Sequence, residues 1–325
     1  MSLKTRHVLA VGLTAGALAL SACSSEGGAQ NEADPTNVGP ELDVALITHA
    51  VPGDTFWDIV RKGAEAAAAK DNVNLLYSSD PEAGKQAQLV EAAIDQDVDG
   101  IVLTLAKPEA MASAVRQATR AGIPVVSINA GETESARLGA VAHFGQNESV
   151  AGQAAGDKLN ELGYQNAVCV NQEQGHVGLE ARCAGAEQAF DGQMETLFVN
   201  GEDMAQVESS ITAKLQTSDS IDAVLTLGAP YALTAVDSVE EAGSNADVAT
   251  FDMNSELIGA LQDEQVVFAV DQQPYLQGYL GVDEIWLWHR NGNTIGGGQP
   301  VLTGPNIVTP QDAGRVAEFA EKGTR

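Results

Sequence analysis

The 325-residue chain is poor in cysteine, histidine and positive charge, and each shortage argues against a class of protein. It has three cysteines and five histidines, and none of the histidines is spaced with the cysteines in a zinc-ligand pattern. Against 45 acidic residues stand only 17 Lys and Arg, which gives a formal net charge of −28. A nucleic-acid partner is not expected, because no basic patch exists to displace phosphate counterions. The acidic residues are spread along the chain, which is typical of a solvated surface.

Common catalytic motifs are missing too. The chain has no Gly-x-Ser-x-Gly elbow, no Walker loop and no His-Glu-x-x-His sequence. The glycines at 296–298 follow a predicted helix and not a strand, so they indicate a loop and not a phosphate site. His49, His143, His176 and His289 have no carboxylate partner near them in the sequence, which favours core or surface roles. The sequence therefore predicts no enzyme, no cofactor and no metal.

The first 22 residues have the pattern of an export leader. Lys4 and Arg6 precede an apolar run at 8–20, which is shorter than the approximately 20 residues of a membrane span. The following Leu-Ser-Ala-Cys, at 20–23, resembles the bacterial lipobox, in which the cysteine thiol receives a diacylglycerol. The alternative is an ordinary secretory signal with an incidental cysteine. The lipobox interpretation predicts an extracytoplasmic protein attached to the cell membrane by a palmitate-type lipid on Cys23.

Residues 23–40 are rich in Gly, Ser, Asn, Glu and Pro and show no apolar periodicity, so we expect a flexible tether. Loss of the leader would remove Lys4 and Arg6 and no acid, which makes the remaining chain more acidic. Cys169 and Cys183 are the cysteines left after lipidation. In an oxidising compartment such a pair favours a disulfide over two buried thiols.

From Leu42 onward, short β-branched runs alternate with longer Ala-rich segments. The run Val44–Thr48 predicts a buried strand, and the segment Asp54–Asp71 predicts a helix with Asp54 as its N-cap. A short strand is expected near Leu138–His143, and no transmembrane helix is expected after the leader. Uniformly apolar strands separated by helices indicate parallel sheets covered on both faces. The predicted fold class is α/β, with two doubly wound domains.

A long helix is predicted over Pro274–Arg290. Trp286 and Trp288 lie in it beside other apolar residues. We therefore expect both indole rings to pack in the core.

Ligands of open α/β sheets bind beyond the carboxyl ends of the strands, so the residues that follow each strand are the candidates. Phe56 and Trp57 come after the first strand, in a chain with few aromatic residues. Asn129, Asp252 and Gln272 come after later strands. Flat aromatic rings stack on the apolar face of a sugar, and short polar side chains pair with its hydroxyls. Helix caps and turns are the alternative role for the Asn and Asp residues. Together they favour a carbohydrate cleft.

The chain resembles the type I periplasmic binding proteins of the ribose/galactose class, the substrate-capturing lipoproteins of bacterial sugar ABC importers. The resemblance is carried by Asp54-Thr55-Phe56-Trp57, Asp99–Leu103, Ala121–Val126, Thr250-Phe251-Asp252 and Gln272–Gly278. It implies two lobes joined by three crossings, near 144–147, 270–273 and 304–308. The expected lobes are residues 41–145 plus 272–303 and residues 146–271 plus 304–325. It also implies a monomer that closes on its ligand and delivers it to ABC permease subunits.

The resemblance also implies the site residues. Phe56 and Trp57 would stack on the ligand, and Asn129, Asp252 and Gln272 would contact hydroxyls. The chain departs from the family pattern at three positions. Ala130 and Glu180 stand where ribose binders have arginines, and Gly228 stands where they have asparagine. Arg182, two residues further on, is a substitute for the second arginine. The full predicted set is Asp54, Phe56, Trp57, Asn129, Glu180, Arg182, Asp252 and Gln272.

With fewer cationic donors, ribose and anionic sugar acids are disfavoured, and a small neutral sugar or polyol is the expected ligand. The alternatives are a receptor or importer subunit for a furanosyl signalling molecule, or a sensory sugar receptor. A lactose-repressor-type regulator shares the core fold. It is excluded by the export leader and by the missing basic helix-turn-helix.

Overall fold

The structure is a computed structural model that describes residues 41–51 and 53–325. The predicted leader, the tether and Cys23 lie outside these residues. Among the residues described, no helix is long and apolar enough to cross a membrane.

The first sheet has six parallel strands in the order β11-β5-β4-β3-β1-β2. The strands are β1 Leu42–Thr48, β2 Val73–Ser79, β3 Gly100–Thr104, β4 Val125–Asn129, β5 Ala142–Gln146 and β11 Val301–Gly304. Every residue of β3, β4 and β5 is buried. This burial explains why these strands are apolar along most of their length and do not alternate.

The second sheet repeats this order as β12-β10-β9-β8-β6-β7. Its strands are β6 Asn166–Asn171, β7 Gln193–Phe198, β8 Ala223–Thr226, β9 Asp247–Phe251, β10 Val266–Asp271 and β12 Asn306–Val308. Only β12 runs antiparallel to its neighbour in the described sheet. Because the two orders match, β1 corresponds to β6 and β4 corresponds to β9.

Helices cover both sheets. On the first sheet they are α1 Thr55–Asp71, α2 Ala83–Asp95, α3 Pro108–Arg120, α4 Glu132–Leu138 and α10 Pro274–Asn291. On the second they are α5 Glu148–Leu162, α6 Val177–Ala189, α7 Met204–Gln216, α8 Ala229–Ala242, α9 Ser255–Gln262 and α11 Pro310–Glu321. A short 3₁₀ turn spans Ile295–Gly298.

Two helix pairs pack with their backbones in unusually close contact, α1 with α10 and α5 with α6. A Cβ atom on Gly63 or on Gly278 would lie 1.9 Å from a backbone oxygen of the facing helix. A Cβ atom on Gly152 would lie 2.2 Å from the carbonyl oxygen of Arg182. Glycine is therefore required at these contacts by space. The α5–α6 contact fixes the helix that carries Arg182.

The chain crosses between the two sheets three times, which confirms the predicted fold class. It passes from β5 to α5 at Asn147, from β10 to α10 at 272–273, and from β11 to β12 at Pro305. The third crossing joins two edge strands, because β11 and β12 each lie at the edge of their sheet. The carboxyl ends of both sheets face the space between the lobes.

Cys169 on β6 and Cys183 on α6 form the disulfide that the sequence predicted. The two residues are 14 apart in the chain, and closure of a loop of that size stabilises a protein by about 3 kcal/mol. The bond ties α6 to its own sheet, one residue after Arg182.

Two sequence predictions are wrong. The segment expected to begin a strand near Leu138 is the end of α4, and β5 begins at Ala142. The helix has only seven residues, too few to show a 3.6-residue period, and its buried Leu138 comes shortly before the buried strand β5. Trp288 is 38% exposed and does not lie in the core, whereas Trp286 packs against the core of the first lobe.

Candidate ligand-binding site

A cavity of about 260 Å³ lies between the lobes, at the carboxyl ends of both sheets. Loops that follow β1, β3 and β4 form one wall, and loops that follow β6, β7, β8 and β9 form the other. Seven of the eight residues predicted to contact a ligand line it: Asp54, Phe56, Trp57, Asn129, Arg182, Asp252 and Gln272. This volume is close to the lower end of the range for small-molecule sites, roughly 300 Å³.

Arg182 is the buried cation of the cavity, and its charge is balanced by two carboxylates. Its Nε donates to Glu148 Oε2 at 2.6 Å and its Nη2 donates to Glu148 Oε1 at 3.0 Å. Its Nη1 lies 3.5 Å from Asp252 Oδ2. The arginine, Glu148 and Asp252 are all buried. Burial opposes the charged guanidinium, but Glu148 and Asp252 outweigh it and raise the pKa of Arg182.

A hydrogen-bonded chain of side chains crosses the hinge. Asn129 Nδ2 donates to Gln272 Oε1 at 3.0 Å, and Gln272 Nε2 donates to Asp252 Oδ1 at 2.8 Å. Gln277 Nε2 also donates to Gln272 Oε1, at 2.8 Å. Burial raises the pKa of Asp252 to about 7, although Arg182 and the Gln272 hydrogen bond act against it. The hinge residue Gln272 therefore connects polar groups of both lobes.

Asn129 and Asp252 occupy equivalent places in the two lobes. Asn129 ends β4, Asp252 directly follows β9, and both have a φ of 64°. Asn and Asp tolerate this left-handed conformation better than other side chains that carry a Cβ. The same backbone geometry therefore presents a short polar side chain at the edge of each sheet.

Phe56 and Trp57 lie at the start of α1, and the planes of their rings are 83° apart. Trp57 is 6% exposed and belongs to the core of its lobe, whereas Phe56 is partly buried. Asp54 caps α1 by accepting from the backbone N–H of Phe56 at 3.0 Å, as its N-cap prediction requires. Burial raises the pKa of Asp54 to about 6. Both aromatic residues line the cavity, and Phe56 is the more exposed of the two.

Glu180 does not line the cavity, and its prediction as a ligand contact is wrong. It is exposed on α6, where its Oε1 accepts from the backbone N–H of Gly175 at 2.8 Å. The helix turns about 200° over two residues, so Glu180 and Arg182 point to opposite faces. Arg182 alone faces the cavity.

Sequence reasoning missed several lining residues: His49, Lys107, Glu173, His176 and Tyr231. Asn129 and Asp252 were predicted because they follow strands of the sheets. The missed residues could have been predicted in the same way, because each lies in a loop or at a helix start that follows a strand. The two histidines were assigned to core or surface because their partners are far away in sequence. His49 Nε2 lies 3.2 Å from His176 Nε2 across the cleft.

One group of side chains in the described part of the chain has the composition of a metal site. The ligand atoms of His49, Glu173 and His176 lie within 4.8 Å of one another. Lys107 Nζ is 2.8 Å from Glu173 Oε1, which places a competing cation at this carboxylate.

Comparison with known proteins identifies the fold and the family. Residues 44–287 match the family model described as periplasmic binding protein domain. The chain belongs to this family.

Among curated relatives of this periplasmic binding protein is the ribose import binding protein of Bacillus subtilis, which is 26% identical over 86% of this chain and 92% of its own length. A solved carbohydrate transporter from Acidothermus cellulolyticus 11B, in complex with myo-inositol, is 52% identical. It covers 88% of this chain and all of its own, with a TM-score of 0.87. A sugar transporter from Legionella pneumophila has a TM-score of 0.72 at 24% identity over 81% of this chain and 99% of its own, and supports the fold alone.

The family model and the ribose import relative describe binding proteins, and this periplasmic binding protein is a binding protein and not an enzyme. It belongs to an extracytoplasmic family.

Proposed function

We propose that this protein captures a small neutral cyclic polyol, of the inositol class, between its two lobes. The observation that carries the proposal is the charge balance of the cavity around Arg182. The guanidinium is paired with Glu148 and faces Asp252, so this buried group has no surplus positive charge for an anion. Lys107, the other described cation that lines the cavity, is paired with Glu173.

Neutral hydroxyls suit these groups because they both donate and accept. Asp252 and Asp54 offer carboxylate oxygens, while Asn129 and Arg182 offer N–H donors. An anionic sugar would instead bring a charge beside carboxylates in a site shielded from water, which is costly. The cavity volume of about 260 Å³ suits one monosaccharide-sized ring and not an oligosaccharide.

The choice of an inositol over an aldose is supported by the Acidothermus protein, whose structure holds myo-inositol. Its 52% identity over all of its length is much higher than the 26% shared with the ribose import protein. All of the hydroxyls of a cyclitol are on a carbocycle, so it offers one apolar ring face and a rim of hydroxyls. Phe56 and the carboxylate and amide side chains are matched to such a shape.

Isothermal titration calorimetry on the purified chain tests the ligand assignment. myo-Inositol is expected to bind, ribose to bind more weakly, and glucuronate, a sugar acid of similar size, to give no signal. Tight binding of an amino acid or a dicarboxylate, with neutral sugars and polyols silent, would overturn the proposal.

The same proposal includes delivery of the ligand to an ABC permease by a lipid-tethered protein. The lobes would be residues 41–145 plus 272–303 and residues 146–271 plus 304–325, and they would close by bending at the three crossings. Closure would create the face that the permease recognises, so binding and transport would be coupled through one equilibrium. Solution scattering with saturating myo-inositol should show a smaller radius of gyration than without it. An unchanged radius, when calorimetry shows binding, would contradict closure.

A further inference from the structure

Two buried histidines meet across the cleft, one from each lobe. His49 follows β1, and His176 is the N-cap of α6, which follows the equivalent strand β6. Their Nε2 atoms are 3.2 Å apart, and the side chains are 9% and 5% exposed. The contact therefore joins equivalent loops of the two lobes.

The hydrogen bonds around this pair fix the position of every ring proton. His176 Nδ1 accepts from the backbone N–H groups of Gly178 and Leu179, at 3.1 and 3.3 Å, so it carries no proton. In a neutral ring the proton is then on Nε2, which donates to His49 Nε2. His49 must carry its proton on Nδ1, which donates to Thr104 Oγ1 at 2.7 Å. Both rings are neutral, and the chain of donors runs in one direction.

The same bonds argue against a metal at His49, Glu173 and His176. A histidine that binds a metal through Nε2 carries its proton on Nδ1 and donates it to an acceptor. At His176 that proton would point at two backbone N–H donors. Metal binding would therefore require the loss of the α6 N-cap.

We propose that His49 and His176 are positioning residues that form a latch, which holds the lobes closed over the ligand while both rings are uncharged. The proposal rests on lobe closure as described under the proposed function. A proton added to His49 would place two N–H groups against each other at the 3.2 Å contact. A proton added to His176 would point at the backbone donors of α6. Either event separates the lobes at this point.

Charged groups surround the latch from several elements. They are Lys107 before α3, Glu173 after β6, Glu148 on α5, Arg182 on α6, and the cavity carboxylates Asp54 and Asp252. Burial, and then Lys107, lowers the pKa of His49 to about 3. Burial, and then His49 and Arg182, lowers the pKa of His176 well below its ordinary value.

The direction of the pH effect follows from these values. In an open protein the rings contact water and regain a pKa of about 6.5. The latch is therefore fully formed above that pH and is lost as the pH falls. For each ring, the equilibrium constant for closure falls by up to tenfold per pH unit. Asp252 and Asp54 have raised pKa values and act in the opposite direction, so the effect is read as a difference between wild type and histidine variants.

Other contacts across the cleft do not depend on pH in this range. The backbone N–H of Val177 donates to Ala106 O at 3.0 Å, and Asn254 Nδ2 donates to Thr55 Oγ1 at 3.2 Å. Neither contains a group that titrates between pH 5 and 8. Asn254→Ser is the control, because it keeps an N-cap oxygen for α9 and removes the contact with Thr55 without changing a titratable group. It should leave the pH dependence of closure unchanged.

Interlobe distances measured by pulsed electron paramagnetic resonance test the latch. The chain with Cys23→Ser leaves no free cysteine, because Cys169 and Cys183 are bonded. Spin labels at Glu91→Cys on α2 and Ala205→Cys on α7 report on exposed helices next to β2 and β7. These edge strands lie far from the hinge, and closure changes the distance between the lobes most at positions far from the hinge. Distances are recorded from pH 8 to pH 5, with and without myo-inositol, and with and without EDTA.

Three single variants and one double variant separate the latch from a general loss of structure. His176→Asn keeps an N-cap oxygen for α6 but does not reach His49. His49→Asn removes the same contact from the other side. Each is expected to lower the equilibrium constant for closure with myo-inositol about tenfold at pH 7.5. The double variant should lower it no further than the single variant with the larger effect, because both substitutions remove the same contact. His49→Gln retains an acceptor for His176 and should restore closure, with a shallower fall below pH 6.5.

Equal closed fractions at pH 7.5 in wild type and His49→Asn, with or without myo-inositol, overturn the latch. Additive effects of the two Asn substitutions overturn it too. A closed fraction that falls when EDTA is added would show that a metal at these residues, and not the hydrogen bond between the two histidines, holds the lobes closed. If calorimetry shows that myo-inositol does not bind wild type, the ligand assignment fails, and the ligand-free distances still decide for or against the latch.

Discussion

Glu148 accepts hydrogen bonds from both Nε and Nη2 of Arg182, at 2.6 and 3.0 Å, although the two residues lie on different helices. Glu148 is the first residue of α5, directly after the hinge crossing at Asn147. The side chain of Gln146, the last residue of β5, also donates to Glu148, at 2.9 Å. The arginine of the cavity is therefore oriented by the residue that directly follows a crossing between the two sheets.

Removal of the negative charge of this pair should strongly destabilise the protein. Glu148→Gln leaves a buried guanidinium with only the more distant Asp252 as a charged partner. Loss of one partner of a buried ion pair costs about 3 kcal/mol or more, because the other charge stays buried. Urea denaturation measures the free energy of unfolding.

Glu65→Gln is the matched control, because the Arg61–Glu65 pair has a similar distance, 2.8 Å, but both side chains are 49% exposed. It should change the free energy of unfolding by less than about 1 kcal/mol. Equal effects of the two substitutions would show that Glu148 does not stabilise Arg182.

Asp252 should make the stability of the protein depend on pH. Its pKa is raised to about 7 by burial, against about 3.9 in an unfolded chain. Between those values the folded protein holds a proton that the unfolded chain has released, so this stabilising contribution is present at low pH and is lost as the pH rises through about 7. The asparagine in Asp252→Asn carries no charge at any pH, so the variant does not lose this contribution to the free energy of unfolding as the pH rises.

Urea denaturation at pH 5 and pH 8 compares the two proteins. The free energy of unfolding of wild type should fall relative to that of Asp252→Asn between pH 5 and pH 8. The histidines are present in both proteins, so their contribution cancels in the difference. Parallel profiles would contradict a raised pKa at Asp252.

The lipid anchor is tested at Cys23. Cys23→Ser is expected to abolish metabolic labelling with palmitate and to release the protein from the membrane fraction. Cells that express wild type are the control for labelling. A Cys23→Ser protein that is still labelled and membrane-bound would contradict the lipobox interpretation.

The order of helices and strands was largely predictable, because fully apolar strands and long helices leave clear patterns. The strand predicted at Val44–Thr48 lies within β1, and the helix predicted over Asp54–Asp71 is α1, which ends at Asp71 and has Asp54 as its N-cap. The α4–β5 region was not, since a seven-residue helix has too few turns to show a 3.6-residue period. Helix α9, of eight residues, was missed for the same reason.

The candidate site was predictable in part. Residues at the ends of strands, such as Asn129 and Asp252, follow from the topology of a doubly wound sheet. Contacts between lobes do not, because His49 and His176 are 127 residues apart and neither has a partner nearby in sequence. Glu180 was wrongly predicted as a ligand contact because it stands where ribose binders have an arginine. Its position on the turn of α6 decides which way its side chain points, and that side is away from the cavity.

Phe56 should contribute to ligand affinity through the face of its ring. Phe56→Leu keeps an apolar side chain of similar volume but removes the flat surface that contacts a sugar ring or cyclitol. Affinity for myo-inositol should fall by about 0.5–1.5 kcal/mol, with little change in the free energy of unfolding, because Phe56 is only partly buried. Phe319→Leu, at a side chain that is 50% exposed on α11, is the control and should leave affinity unchanged. Calorimetry that gives the two variants the same affinity as wild type would assign Phe56 to packing against Trp57 and not to ligand binding.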